Sequence, residues 1–196
     1  MERKLKVVVL GIQNVGKTAI LHKYVTNDFN PYMGQTMIAA TLQKRVESES
    51  GTVIIDLWDT AGQEKFRSLA PQYIRGSQAA IIVASVENVA SVNEIPYLME
   101  LIEASTSEDI QVCAVLNKID LAEDVHRVSK DFFEQTIRSL SYKTKPGIFM
   151  VSAKTGEGIS LLFDHILAHT STGKQISDPT TAVQLNKSSP DKNKCC

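Results

Sequence analysis

The chain reads as an α/β fold with a largely parallel sheet, and three observations predict it. Short apolar runs suited to strands alternate with stretches of helical spacing, from Leu5–Leu10 to Ile159–Leu167. Gly11-Ile12-Gln13-Asn14-Val15-Gly16-Lys17-Thr18 joins the first such run to the first helix as G-x-x-x-x-G-K-[ST]. That is a phosphate-binding loop in the strand–loop–helix setting that gives the pattern its meaning. The carboxyl ends of later strands carry Asp59, Asn117 and Ser152, where open α/β sheets bind their ligands.

Composition narrows the class. The 196 residues are 43% hydrophobic and 22% charged, which suits one domain plus a tail, with a core that needs no covalent staples. A net charge of −1 argues against a general nucleic-acid binder. No run approaches the roughly 18 apolar residues of a membrane span. Met1-Glu2-Arg3-Lys4 enters the first strand with no room for a signal peptide, and Glu2 excludes myristoylation. Three cysteines are too few for a disulfide framework. Cys113 sits in an apolar strand and reads as a small core residue. These features point to the cytosol. His22, His126, His165 and His169 show no ligand spacing and suit helix surfaces or ends.

Taken in order, Leu5–Leu10 is a buried strand and Lys17–Val25 a helix carrying Ile20, Leu21 and Tyr24. Asn27–Gln35 is broken by Asn, Asp, Asn-Pro and Gly and reads as a loop. A strand over about 38–46 and the alternating run Thr52–Trp58 suit a hairpin across the turn Glu47–Gly51. Asp59–Gly76 is loop, then an irregular helix broken before Pro71. Ala79–Val86 and Ile110–Leu116 are buried strands. Ser91-Val92-Asn93-Glu94 has the form of a capping box. Pro96 leaves two readings open there: a cap at Asn93, or a kinked helix. Ser129 caps a helix bearing Phe132, Phe133, Ile137 and Leu140, and Gly147–Val151 is a last short strand. Ile159, Leu162, Phe163, Ile166 and Leu167 form one helix face. From about Thr170 the chain turns polar and reads as a disordered tail.

The site chemistry follows from residue type. Glycines at both ends of the first loop let its backbone curl toward phosphates. The N–H groups over Asn14, Val15, Gly16, Lys17, Thr18 and Ala19 can form an anion-binding concavity at the positive end of a helix. Lys17 can reach the β- and γ-phosphates, and the Thr18 hydroxyl can ligate Mg²⁺. In Trp58-Asp59-Thr60-Ala61-Gly62-Gln63-Glu64, Asp59 is placed to hold Mg²⁺ and the Gly62 N–H to meet a γ-phosphate oxygen. Gln63 is the catalytic candidate, able to orient an attacking water. Thr36 could complete the Mg²⁺ shell. In Asn117-Lys118-Ile119-Asp120, the Asp120 carboxylate can accept two hydrogen bonds from guanine N1–H and its amine. Adenine lacks both groups, so discrimination should be large. A backbone N–H of Ser152-Ala153-Lys154 can meet the guanine oxygen. Asn-Lys-x-Asp alone also reads as a capped turn; its place beside the other motifs is what makes it informative.

With these motifs in order, the chain resembles a small GTPase of the Ras superfamily, and within it the Rab family. The Rab-like stretch is Trp58 to Ala80, and the ending Lys194-Cys195-Cys196 also fits. The resemblance implies a P-loop small-GTPase fold, a six-stranded, mostly parallel sheet flanked by five helices. Residues 1–169 would form the G domain and 170–196 a flexible tail. It implies GTP/GDP binding with Mg²⁺, slow hydrolysis, and two loops near 29–41 and 59–75 that change order with the γ-phosphate. By similarity Phe29 lies against the guanine, Tyr32 near the γ-phosphate and Lys118 along the base. Phe29 also reads simply as a loop anchor. Prenylation of Cys195 and Cys196 would anchor the protein, because two lipid chains hold where one is marginal. A disulfide between these neighbours would be strained. The family role is a switch in vesicular membrane trafficking. It cycles from the cytoplasm onto the cytosolic face of an endomembrane as a monomer. Its partners would be an exchange factor, a GTPase-activating protein, a GDP-dissociation inhibitor or escort protein, and effectors.

Three positions depart from the family pattern. Met37-Ile38 follows Thr36 where Rabs carry Ile-Gly. Thr41 stands where a Phe usually packs with Trp58 and Tyr73 on an aromatic effector surface. Gln13 replaces a small residue of the phosphate loop. The first two bear on effectors and the third on hydrolysis rate. Two other classes compete: a P-loop nucleoside kinase, opposed by Asn-Lys-x-Asp, and a module that holds GTP without turnover, opposed by Gln63 and favoured by Gln13.

Overall fold

A computed structural model describes residues 2–34, 36, 39–48, 51–61, 69–106, 109–121 and 127–170. Its strands are β1 (Glu2–Leu10), β2 (Ala40–Ser48), β3 (Gly51–Asp59), β4 (Ala79–Ser85), β5 (Gln111–Asn117) and β6 (Gly147–Met150). Its helices are α1 (Lys17–Thr26), α2 (Ala70–Ile74), α3 (Val89–Asn93), α4 (Ile95–Ser105), α5 (Lys130–Ser139) and α6 (Ile159–Thr170). The strands form one sheet in the order β2-β3-β1-β4-β5-β6. β2 and β3 are antiparallel, the hairpin expected across the polar turn, and the other neighbours are parallel.

Strand composition explains the layers. β4 is buried along its whole length, as a central parallel strand covered on both faces must be. β3 alternates, with Val53, Ile55 and Leu57 buried. On one face of the sheet, Ile20 and Leu21 of α1 and Ile159, Leu162, Phe163 and Ile166 of α6 pack on Val7, Val9, Ile81 and Val115. Tyr24 stacks on Phe163 with ring centroids 3.6 Å apart. On the other face, α2, α4 and α5 contribute Ile74, Met99, Ile102, Phe133 and Ile137 against Val8, Leu10, Ile82 and Leu116. Successive β1 residues therefore serve opposite cores, the period-2 consequence of a strand between two helical layers.

Two helix expectations change. The box at Ser91 does not open a helix. Asn88 is the cap, its side chain accepting from the Ala90 N–H at 3.0 Å. The Ser91 hydroxyl is instead engaged by the Ser85 N–H at 2.9 Å. Neither reading of Pro96 is found as stated: the cap is Glu94 rather than Asn93, and the helix is interrupted rather than kinked. α3 ends and α4 begins at Glu94, and Pro96 lies in the first turn of α4, where its missing N–H costs nothing. α3 and α4 are thus two pieces of one arm, so among the described residues five helical units flank the sheet. Pro71 likewise sits inside the first turn of α2 rather than beyond a break. Ser129 caps α5 as expected, accepting from the Phe132 N–H at 3.1 Å. Of the expected tail, 170–196, Thr170 belongs to α6, and residues 171–196, with Cys195 and Cys196, lie outside the described residues.

Candidate functional site

The chain crosses from β3 on one side of β1 to β4 on the other, so β1 ends at a topological switch point. Crevices form there, and the phosphate-binding loop leaves β1 at that place. Gly11 (φ 142°) and Gly16 (φ 92°) supply the positive backbone angles the curl needs, and Asn14 adopts φ 63° between them. A Cβ on Gly16 would run into the Asn117 carboxamide. Lys17 is only 6% exposed, and its ammonium folds back over the loop to the Gly11 and Ile12 carbonyls at 2.9 and 3.0 Å. Burial lowers its pKa to about 8, opposed by the nearby charge of Asp59.

Beneath Lys17, three oxygen-bearing side chains meet. The hydroxyls of Thr18 and Thr36 lie 2.7 Å apart, and Asp59 Oδ2 accepts from them at 2.5 and 3.3 Å. Burial raises the Asp59 carboxyl above its usual range, against the Thr18 hydrogen bond and the Lys17 charge. Asp59 Oδ1 is buried with no hydrogen-bond partner. A buried orphan acceptor beside two hydroxyls is a hard-oxygen donor set, which fits a Mg²⁺ ion that keeps several of its waters.

The far side of the crevice is built from the ends of β5 and β6. Asn117, 1% exposed, donates through Nδ2 to the Val15 carbonyl at 2.9 Å and accepts from the Ala153 N–H at 3.2 Å. One carboxamide thus ties three loops together. Lys118, at φ 64°, turns the chain so that Ile119–Leu121 closes as a 3₁₀ turn. Asp120 Oδ1 accepts from the Ser152 hydroxyl at 2.6 Å, and Lys154 Nζ lies 3.9 Å from Asp120 Oδ2. Ser152 is fully buried, so it orients Asp120 from behind rather than lining the crevice.

A cavity of about 660 Å³ runs from the phosphate loop to this wall. Asn14, Gly16, Lys17, Thr18, Ala19 and Thr36 line one end, and Asn117, Lys118, Asp120, Ala153 and Lys154 the other. Phe29 lines it too while packing on the core, as a loop anchor does. Gln13 stands at the phosphate end. Val15 lies in the core, outside the lining, with its carbonyl accepting from Asn117. Tyr32 is not brought in: its ring is 91% exposed and does not line the cavity. The Asn30 side chain accepts from the Tyr32 N–H at 2.9 Å, a local turn that fixes the backbone and leaves the ring unsupported. Gly62, Gln63, Met37 and Ile38 lie outside the described residues.

Six lining residues were not among the sequence candidates: Asn30, Pro31, Met33 and Gly34 of the loop after α1, Leu121, and Glu87, the one whose place a strand-end argument could have found. Glu87 follows the end of β4 and joins the cavity wall. The strand-end rule, applied to β4 as it was to β1, β3, β5 and β6, points to it. On the β2–β3 hairpin, Thr41 pairs with Trp58, whose ring centroid is 6.0 Å from that of Tyr73. Lys6 Nζ lies 4.6 Å over the Trp58 ring.

Comparison with known proteins agrees with this geometry. The family model described as Ras family matches residues 6–172. The chain is 36% identical over 160 residues to GTP-binding protein YPT53 of Saccharomyces cerevisiae, covering 81% of this chain and 73% of that one. It is 35% identical over 164 residues to Ras-like GTP-binding protein RYL2 of Yarrowia lipolytica, covering 83% and 78%. A cradle for phosphates, a fitting metal shell and a carboxylate on the far wall accord with those matches over most of the chain: it belongs to the Ras family and is a small GTPase of the Rab type.

Proposed function

We propose that this chain is a GTP/GDP switch of vesicular membrane trafficking, holding GTP with Mg²⁺ and hydrolysing it slowly. The observation that carries the reading is the single cavity joining Lys17 and the Thr18–Thr36–Asp59 cluster to Asp120 across the Asn117 strut. Lys17 meets the β- and γ-phosphates, exchanging loop carbonyls for phosphate oxygens. Thr18, Thr36 and Asp59 hold Mg²⁺, which supplies charge neutralisation to the phosphates. Asp120 accepts from guanine N1–H and its amine, a backbone N–H of the Ser152–Lys154 turn meets the guanine oxygen, and Phe29 and Lys118 flank the base. Gln63 orients the water. Gln13, at the phosphate end, favours slow turnover by occupying space near that water. Residues 1–169 are the working domain, and the tail from 170 carries two prenyl groups on Cys195 and Cys196. These bring the monomer from the cytoplasm to an endomembrane, where exchange, activating, escort and effector proteins act on it.

The test is equilibrium binding of fluorescent GDP, GTP, ATP and XTP to the purified protein, with Mg²⁺ and with chelator, followed by single-turnover hydrolysis. Tight, Mg²⁺-dependent binding of GTP and GDP over ATP is expected, lost in Lys17→Ala. Equal affinity for ATP would refute the guanine reading. In cells, Cys195→Ser/Cys196→Ser should move the protein from membranes to the soluble fraction; a wild type that is itself wholly soluble and unmodified would remove the anchoring part alone.

A further inference from the structure

Glu87 sits where the carboxyl end of β4 meets that of β5. Its backbone is fixed by the chain that leads into it. The Val86 N–H donates to the Asn117 carbonyl at 3.1 Å, and the Val128 N–H to the Val86 carbonyl at 2.8 Å. The Glu87 N–H donates to Ser85 Oγ at 3.2 Å. The carboxylate divides its oxygens. Oε2 accepts from Lys118 Nζ at 2.6 Å, and Oε1 lies 3.2 Å from Arg127 Nη1. All three side chains are between 22% and 39% exposed, so the triad stands at the rim of the cavity rather than in open solvent.

The consequence concerns Lys118. It occupies the left-handed backbone region, and its flexible stem borders the cavity beside Asp120. Asp120, behind it, is already engaged by Ser152 and approached by Lys154. A free Lys118 ammonium would be drawn toward that same carboxylate, competing for the acceptor the base needs. Glu87 removes that competition by taking the ammonium to the opposite rim. Arg127 holds Glu87 in place from outside the cavity.

We infer that Glu87 is a positioning residue for nucleotide binding: with Arg127 it pins the head of Lys118, so that the lysine stem forms a fixed wall for the base and Asp120 stays free to receive it. The inference rests on the guanine-nucleotide reading above. Glu87 does its work through Lys118, and its effect on nucleotide residence vanishes when the lysine head is removed.

The experiment measures dissociation of fluorescent GDP from the Mg²⁺-loaded full chain, for wild type, Glu87→Gln, Glu87→Ala, Arg127→Met, Lys118→Met and the Glu87→Ala/Lys118→Met pair. Thermal unfolding of each variant reports its folding. Glu87→Ala should release GDP about fivefold faster, the scale of a half-exposed ion pair, with Glu87→Gln between it and wild type and Arg127→Met shifted the same way. High salt should speed release from the wild type and barely affect Glu87→Ala. In the Lys118→Met background, adding Glu87→Ala should change the rate by less than twofold. Unchanged release in Glu87→Ala overturns the inference, and so does a full effect persisting without the Lys118 ammonium. A wild type that binds no guanine nucleotide at all would instead refute the functional reading beneath it.

Discussion

Asn117 donates to the carbonyl of Val15 at 2.9 Å across 102 residues of sequence, so the far wall of the cavity and the loop after β1 share one buried hydrogen bond. The same side chain receives the Ala153 N–H. Asn117→Ala strands a buried carbonyl and a buried N–H. The expected cost is roughly 1–3 kcal/mol in stability, since buried groups left unpaired lose their full desolvation energy. Nucleotide release should quicken as well, because both ends of the cavity loosen. Thermal unfolding with and without GDP checks this; an unchanged melting temperature in both states would contradict the strut role.

Asp120 faces the cavity with its carboxylate steadied by Ser152 at 2.6 Å. Asp120→Asn keeps the acceptor toward Ser152 but presents an amide donor to the base. Preference should move from guanine to xanthine, with guanine affinity falling roughly a hundredfold or more, the scale at which a site rejects a ligand that mismatches its hydrogen bonds. Competition of GTP and XTP for one labelled nucleotide measures it. Retained guanine preference would take Asp120 out of base recognition.

Thr41 lies opposite Trp58 in the hairpin register, beside the Trp58–Tyr73 pair and the Lys6 ammonium. With threonine there, the surface lacks an apolar anchor of the kind that dominates many interfaces. Thr41→Phe should tighten binding to a panel of Rab effector domains by about tenfold, and add a few tenths of a kcal/mol of stability through the cross-strand aromatic pair. Calorimetric titration with the GTP-loaded protein is the measurement. Ordinary effector affinity in the wild type, unimproved by the substitution, would dispose of the idea.

Gln13 is exposed at the phosphate end of the cavity, on the loop whose curl Gly11 and Gly16 permit. Phosphoryl transfer depends on placement and electrostatics, so a long side chain beside the attacking water is costly. Single-turnover GTP hydrolysis should be about tenfold faster in Gln13→Ser than in wild type, with wild type close to Gln63→Leu. If Gln13→Ser is no faster, obstruction by Gln13 is wrong.

Much of this protein was legible in its sequence, for a physical reason. Strand and helix periods are local, and the α/β topology puts strand ends on one edge. Residues 11–18, Asp59, Asn117–Asp120 and Ser152–Lys154 could therefore be assigned to a common crevice without knowing any distance. Buried β4 and the apolar face of α6 were equally plain, because burial dictates their composition. Tertiary structure decided what depends on orientation. Ser91 is taken by Ser85, so the cap moves back to Asn88 and the arm breaks at Glu94. Tyr32 leaves the cavity because its loop turns on Asn30. Glu87, Lys118 and Arg127 meet only when β4, β5 and the segment before α5 are packed together. No spacing along the chain encodes such a triad, since side chains from three separate segments are brought within ion-pair range by the sheet and not by the sequence.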